Sequence, residues 1–227
     1  MNRLASIFSC LIIFLLTSPP GYAADLDSLV SSLKGGGYVI VFRHGATDDS
    51  QKDVYPLKFD DMSAQRQLSE NGRAMARDLG AALAKLGVPV GEVYTSRLNR
   101  AVETGKLIGR KDVAAVDELT DSGAGSSSAM ANPDGKNAKV GRAVRDLVNV
   151  APKAGVNNLA VTHKTNVADA FGKEFADIRE GEALVYKTSA SGPAVLVTRG
   201  AGKRVDRAGR QLDLVSLQGN FGPPTGL

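Results

Sequence analysis

The sequence has few of the side chains that react with oxidants, metals and electrophiles. Its 227 residues include one cysteine, two histidines and no tryptophan. The cysteine, Cys10, lies in an apolar run near the first residue, so the chain that follows it has no disulfide, no thiolate nucleophile and no cysteine metal site. Chemistry carried by this chain therefore depends on other groups, and the two histidines, His44 and His163, are the first to consider.

A strong excess of one charge is also missing. The formal net charge is +4 and the isoelectric point about 9.2, and no long block of lysine and arginine accompanies them. A nucleic-acid-binding protein usually gathers its basic residues on one face or helix, so we expect no nucleic-acid partner and a weak preference for anionic ligands. With 43% hydrophobic and 23% charged residues, the composition is that of one sizeable globular domain.

The first 24 residues have the pattern of a secretory signal peptide. Arg3 is the single charge before Asp25, residues 11–16 form an apolar centre, and a Pro-Pro-Gly break precedes the small residues Ala23 and Ala24. We predict cleavage after Ala23 or Ala24, and hence a periplasmic or secreted protein with no stable membrane insertion after cleavage.

Two other interpretations of this segment fit less well. A retained membrane anchor needs about 20 apolar residues to span a bilayer, and the apolar run is shorter. A lipoprotein anchor at Cys10 would leave most of the apolar run after the cysteine, which is the wrong order.

Hydrophobic spacing beyond the signal peptide alternates between helix and strand patterns. It predicts helices over 25–33, 69–86, 98–108 and 138–150, and strands over 38–42, 93–95, 113–116, 159–162, 183–187 and 194–198. The unbroken apolar strands suit a sheet that is buried on both faces. We therefore predict an α/β fold with a mainly parallel central sheet between two helical layers, over residues 25–200. Residues 120–137 are predicted to be a long loop, and 201–227 a basic, then Gly/Pro-rich tail.

Both histidines directly follow a predicted buried strand. In open α/β sheets, ligands bind beyond the carboxyl ends of the strands, so His44 and His163 are expected to meet although they lie 119 positions apart (163 − 44). Either histidine alone would more often be a surface or packing residue. Arg43 beside the first of them, and the turn-permitting Gly45, favour a shared site.

A third strand end adds positive charge to this expected site. Arg97 and Arg100 are three residues apart where the strand at 93–95 passes into a helix, and a helix N-terminus itself favours anions. Guanidinium groups bind phosphate oxygens in bidentate fashion and stay charged. Arg43, Arg100 and the two histidines together would form a phosphate pocket.

Four segments resemble those of the histidine phosphatase superfamily, which has the phosphoglycerate mutase-like fold. They are Val41-Phe42-Arg43-His44-Gly45-Ala46-Thr47, Arg66-Gln67-Leu68-Ser69-Glu70-Asn71-Gly72, the stretch from Thr95 to Thr104, and Val161-Thr162-His163. Their order and spacing fit, and the resemblance runs from Tyr38 to Tyr186. It implies a three-layer α/β/α sandwich.

The resemblance also implies a mechanism without a metal or another cofactor. His44 would be the nucleophile that becomes a phosphohistidine, and Arg43, Arg100 and His163 would hold the phosphoryl oxygens. Thr47 and Asn166 are further candidates for contacts with the phosphate or the leaving group.

The proton donor is the least determined part of this mechanism. One branch of the superfamily has an aspartate directly after the second histidine, but this chain has Lys164 there. The other branch takes its acid from the region after the third strand, where Asp121 is the first choice and Glu118 the second. Glu182 is a third candidate.

The resemblance predicts a phosphatase that acts on a phosphorylated small molecule or an envelope component. A phosphosugar, a cell-envelope phosphate and a phosphoprotein all remain open as substrates, and the loops 48–67 and 122–137 are expected to frame the entrance. A phosphomutase of the same fold, and a phosphate-binding protein that has lost turnover, are the alternatives. The sequence does not indicate whether the protein is a monomer or an oligomer.

Overall fold

The computed structural model describes residues 21–120 and 138–201. Most of the predicted signal peptide, the loop residues 121–137 and the tail from 202 lie outside these ranges, so the predictions made for them stay predictions. No helix within the described ranges is long and apolar enough to cross a membrane.

Helices and strands alternate through the first part of the domain, and two strands end it. The helices are α1 (Gly21–Lys34), α2 (Glu70–Lys85), α3 (Asn99–Gly109), α4 (Ala138–Asn149) and α5 (Lys164–Phe171). The strands are β1 (Tyr38–Arg43), β2 (Val90–Thr95), β3 (Ala114–Ala115), β4 (Asn157–Thr162), β5 (Glu182–Lys187) and β6 (Val195–Ala201).

The six strands form one sheet in the order β3-β2-β4-β1-β5-β6. Strands β1 to β4 are mutually parallel, β5 pairs with β1 in antiparallel register, and β6 pairs with β5 in the same way. The predicted, mainly parallel sheet is thus confirmed. Strands β1 and β4 are neighbours, with Arg43 opposite Thr162, so the residues that follow both strands emerge side by side.

Helices cover both faces of the sheet, which gives the predicted three layers. On one face Ile40 and Phe42 of β1 pack in a cluster with residues of α1, α2 and α3. On the other face Val39 and Val41 pack in a cluster with residues of α4 and α5. All four side chains are buried, which explains why β1 has no polar alternation.

Two helices differ from the sequence prediction. Helix α1 begins at Gly21 rather than at Asp25, so residues 25 and 27 lie inside the helix. Helix α5, directly after His163, was not predicted, because its eight residues give too short a stretch for a helical period to stand out.

Helix α2 starts almost where the sequence indicates. Ser69 is its N-cap, and its hydroxyl accepts a hydrogen bond from the backbone N–H of Gly72 at 3.1 Å. The same serine donates to the carbonyl of Ala46 from both its backbone nitrogen (2.9 Å) and its hydroxyl (3.1 Å). This cap therefore ties the start of α2 to the loop that follows His44.

Candidate active site

The carboxyl ends of β1, β2 and β4 are joined by hydrogen bonds just beyond the sheet. The backbone nitrogen of His44 donates to the carbonyl of Thr162 (3.0 Å), and that of Ser96 donates to the carbonyl of Val161 (2.9 Å). These bonds bring the two histidines together, with ring centroids 5.2 Å apart.

His44 is held in the tautomer that a nucleophile needs. Its Nδ1 lies 2.8 Å from the carbonyl oxygen of Gly45. Because a carbonyl oxygen only accepts hydrogen bonds, Nδ1 carries the proton and Nε2 keeps its lone pair. Burial, followed by the charge of Arg100, lowers the pKa of His44 well below 6.5. The imidazole is therefore neutral at pH 7, and its Nε2 could act as a nucleophile.

His163 contacts both the His44 ring and the segment that leads into α3. Its Nε2 is 2.8 Å from the hydroxyl of Ser96, which also accepts a hydrogen bond from the backbone of Leu98 at 3.1 Å. Burial is the main cause that lowers the pKa of His163, and the neighbouring His44 and Arg100 add to it. The serine hydroxyl thus fixes the orientation of this ring.

Arg43 is the last residue of β1, and both terminal nitrogens of its guanidinium bind acceptors of the chain. Nη1 donates to the carbonyl of Ile178 at 2.8 Å, and Nη2 donates to Glu180 at 3.2 Å. Its Nε is buried without a hydrogen-bond partner among the described residues.

Arg100 is the second residue of α3, and its side chain is only 3% exposed. Nη1 donates to Oδ1 of Asp53 at 2.9 Å, while Nε is buried without a partner in the described part of the chain. Buried donors without acceptors are rare in native proteins. Two of them, on arginines beside two neutral histidines, form a cradle for an anion.

The hydroxyl of Thr47, three residues after His44 in the sequence, is another polar group without a partner among the described residues. It is buried and has no hydrogen-bond partner within residues 21–120 and 138–201, although Thr47 is bridged through its backbone to Leu68.

The described residues contain no group of three or more histidine, cysteine, aspartate or glutamate side chains placed to hold a metal ion.

A family model described as the histidine phosphatase superfamily (branch 1) matches residues 39–155, which is 117 of the 227 residues (155 − 39 + 1). The chain belongs to the histidine phosphatase superfamily. The matched region contains Arg43, His44 and Arg100. His163 lies beyond it, and its place in the site follows from the geometry alone.

Several solved structures are similar to this member of the superfamily. The protein histidine phosphatase SixA complexed with tungstate is 20% identical, covers 71% of this chain and 95% of its own, and has a TM-score of 0.49. The putative phosphohistidine phosphatase SixA from Agrobacterium tumefaciens is 14% identical, with 73% and 98% covered and a TM-score of 0.48. Phosphoserine phosphatase from Entamoeba histolytica is 15% identical, with 71% and 95% covered and a TM-score of 0.48. No curated protein matches the chain.

The proton-donor candidates of this superfamily member differ in what the structure shows of them. Asp121 lies outside the described residues, and Glu118 is exposed on the turn Asp117–Leu119. Glu182 is buried and binds Arg199 through both carboxylate oxygens, at 2.7 and 3.1 Å. Burial opposes ionisation, but the bonds from Arg199 and Arg179 outweigh it and lower the pKa of Glu182. An ionised, fully engaged carboxylate is a poor proton donor.

Two polar residues expected near the phosphate have other partners. The amide nitrogen of Asn166 donates to the carbonyl of Leu119 (3.0 Å) and to the hydroxyl of Thr162 (3.1 Å). Arg97 precedes α3 instead of lying on its first turn, pairs with Asp117 at 3.1 Å, and stacks on Phe59. Arg97 therefore does not share the pocket position of Arg100.

Three residues of the site had no role assigned from the sequence. Asp53 binds Arg100, Glu180 binds Arg43, and the charge of Arg66 lowers the pKa of both histidines. Arg66 has no hydrogen-bond or ion-pair partner for its side chain among the described residues. It lies in one of the segments that carry the family resemblance, which was the available signal.

A glycine at the start of α2 allows the loop after His44 to lie against that helix. A Cβ on Gly72 would overlap the carbonyl oxygen of Ala46 and crowd its nitrogen. On the other side of the loop, the backbone nitrogen of Gly45 donates to the hydroxyl of Thr104 at 3.1 Å. Helices α2 and α3 thus fix the carbonyl of Gly45, the acceptor that sets the tautomer of His44.

Proposed function

We propose that the chain is an exported phosphomonoesterase that needs no metal and works through a phosphohistidine on His44. The observation that carries the proposal is the set of hydrogen-bonding groups of the described residues that are left without a partner beside the two histidines. The lone pair of His44 Nε2 and the partnerless Nε–H groups of Arg43 and Arg100 are the unused hydrogen-bonding positions of one cluster. A nucleophile beside unsatisfied cationic donors suits transfer of a phosphoryl group.

In the first step the lone pair of His44 Nε2 attacks phosphorus in line with the ester oxygen. The P–N bond forms as the P–O bond breaks, and the leaving oxygen takes the electron pair and then a proton from a carboxylic acid, for which we propose Asp121. In the second step water attacks phosphorus on the side opposite the P–N bond and gives one proton to the carboxylate formed in the first step. That bond breaks, its electrons return to His44, and inorganic phosphate leaves.

Charge stabilisation falls to the arginines and the second histidine. A phosphoryl group in transit spreads negative charge over three equatorial oxygens. The Nε–H groups of Arg43 and Arg100, the Thr47 hydroxyl and His163 are the groups we assign to these oxygens. Removal of one such donor typically reduces kcat by about 100- to 1,000-fold.

Phosphate release from an aryl phosphate in the presence of a metal chelator tests this function. We expect steady turnover that the chelator leaves unchanged, because arginines supply the positive charge. Loss of activity on chelation, with recovery when a divalent cation is added back, would contradict the metal-free mechanism. A folded protein that binds phosphate without releasing any from substrates would favour the alternative of a phosphate-binding protein.

The same assay separates a phosphatase from a phosphomutase. A mutase moves the phosphoryl group between positions of one molecule and releases little free phosphate. We favour the phosphatase because the predicted signal peptide removes the protein from the cytoplasmic sugar phosphates that a mutase would use. The substrate class proposed is a phosphorylated small molecule or envelope component, with phosphosugars, envelope phosphates and phosphoproteins as the panel to compare.

For the leaving-group proton we propose Asp121, with Glu118 as the second candidate. We expect Asp121→Asn to slow hydrolysis of an alkyl phosphate about 100-fold or more and that of an aryl phosphate far less, because a good leaving group departs without a proton. Steady-state kinetics on one alkyl and one aryl substrate measure this difference, and Glu118→Gln tests the second candidate in the same way. Equal losses on both substrates, or none, would remove Asp121 from the role.

A further inference from the structure

The two phosphate arginines share a pattern that reaches beyond the pocket itself. In Arg43 and in Arg100 alike, the buried Nε has no partner among the described residues, whereas a terminal nitrogen is held by an acceptor of the chain. A guanidinium is planar and its five N–H donors have fixed directions. An acceptor that holds one terminal nitrogen therefore also decides where the Nε edge points.

For Arg100 that acceptor is Asp53, a residue of the irregular loop 48–67. Its Oδ1 accepts from Nη1 of Arg100 at 2.9 Å and from the backbone nitrogen of Arg66, also at 2.9 Å. The Asp53 side chain is 10% exposed and that of Arg100 is 3% exposed. The bond from the Arg66 backbone fixes the position of the Asp53 carboxylate. That carboxylate can therefore fix the orientation of the Arg100 guanidinium.

The loop that carries Asp53 is itself fastened to the start of α3. Gln65 is buried, and its Oε1 accepts from the backbone nitrogen of Asn99 at 2.8 Å. Its Nε2 donates to the carbonyls of Lys58 (2.9 Å) and Phe59 (2.8 Å). Arg100 is the next residue after Asn99, so loop and arginine are held as one unit.

We propose that Asp53 is a positioning residue, which binds Nη1 of Arg100 and so directs the Nε edge of that guanidinium toward the phosphoryl group. The inference rests on the proposed function, because it uses Arg100 as a ligand of the phosphoryl oxygens. Asp53 itself does not touch the substrate. The loop 48–67 thereby becomes part of the catalytic apparatus instead of only framing the entrance.

Asp53→Ala and Asp53→Asn, made in the full chain, test this role. Asparagine keeps an oxygen for Arg100 and for the Arg66 nitrogen, whereas alanine removes both bonds. We expect Asp53→Ala to lower kcat about 100-fold, as for loss of a transition-state donor, and to weaken tungstate binding about 10-fold in calorimetry. We expect Asp53→Asn to stay within about 5-fold of the wild type in both, since the oxygen contact remains.

A double-mutant cycle shows whether Asp53 acts through Arg100. In an Arg100→Ala background, Asp53→Ala is expected to have no further effect on kcat or tungstate affinity, because the group that it positions is gone. Asp61→Ala is the matched control. It makes the same change in the same loop, but its carboxylate binds Ser63 and not an arginine, so activity should be unchanged.

Each other outcome overturns the proposal in a recognisable way. Tighter tungstate binding by Asp53→Ala would mean that Asp53 competes with phosphate for Arg100. A lower unfolding midpoint with unchanged kcat and affinity would leave Asp53 a structural role only. Failure of the wild type to bind tungstate would overturn the phosphate pocket, and the proposed function with it. Binding without turnover would count against the phosphatase, while the calorimetric comparison would still decide the role of Asp53.

Discussion

His44→Ala is expected to eliminate turnover, with kcat lower by about four to six orders of magnitude, as for removal of other enzymatic nucleophiles. The reason lies in the hydrogen bond from Nδ1 to the Gly45 carbonyl, which leaves Nε2 as the free nitrogen of this ring. Phosphate release with a chelator present, under single-turnover and steady-state conditions, measures the loss.

The same variant should also lose covalent labelling. A phosphohistidine is a phosphoramidate, so rapid quenching with a radiolabelled substrate is expected to give a label on the wild type that is stable in base and lost in acid. His44→Ala should give none. A label that survives the substitution would place the nucleophile elsewhere in the chain.

His163→Ala is the matched control for this experiment. Both histidines are 3% exposed and belong to the same pocket, so each substitution opens a comparable cavity. We assign His163 to charge stabilisation, and its loss should therefore slow formation and hydrolysis of the label without removing the labelled site. Loss of the label in both variants alike would point to a collapsed pocket and not to a missing nucleophile.

The meeting of the two histidines could be predicted because it depends on a rule of parallel sheets. His44 and His163 each follow a strand whose residues are apolar on both faces, and such strands point their carboxyl ends to one edge. The same reasoning placed Arg43, since it ends β1. The hydrophobic pattern of the strands and the parallel direction of the sheet were together sufficient to predict where these three residues lie.

Asp53 could not be found in this way. Its loop also contains Asp48, Asp49, Asp60 and Asp61, and no periodicity separates one of these carboxylates from another. Asp53 is distinguished by its contact with Arg100, which is 47 residues away. Such a pairing depends on how an irregular loop closes, and that follows from tertiary contacts.

The start of α3 shows the same limit. Its N-cap residue, Leu98, supplies no side-chain hydrogen bond, and the acceptor for the Asn99 nitrogen comes from Gln65, 34 residues earlier. A helix whose cap is supplied by a distant loop has no local start signal. The prediction therefore began the helix at Leu98 and grouped Arg97 with Arg100. The sequence also did not indicate that Glu182 binds Arg199, because that partner lies across the β5–β6 pair.

The second large effect that we expect is a loss of stability in weak acid. Burial is the first cause that lowers the pKa of both His44 and His163 below 6.5, so the folded protein resists taking up protons that the unfolded chain binds. The stability that depends on neutral histidines is fully present above pH 6.5 and is lost as the pH falls below it. Each histidine contributes a slope of about 1.4 kcal/mol per pH unit, about 2.7 for both.

Urea unfolding at pH 7.5, 6.5 and 5.5 measures this slope. His44→Gln and His163→Gln should each lower it by about half, because each removes one proton-binding site that differs between the folded and unfolded states. A free energy of unfolding that stays constant from pH 7.5 to 5.5 would contradict the buried, neutral state of the pair.

Asp177 and Glu182 do not interfere in this range. Hydrogen bonds and arginine contacts lower the pKa of Asp177 and Glu182 from ordinary values of 3.8 and 4.5, so their contribution is lost only when the pH falls below about 4.5. The lowered pKa of His44 keeps its Nε2 unprotonated below pH 6.5, so the nucleophile should survive mild acid as long as the fold does. Activity and unfolding measured on the same samples should therefore fall together, and the loss of folded protein should set the acid limit of the enzyme.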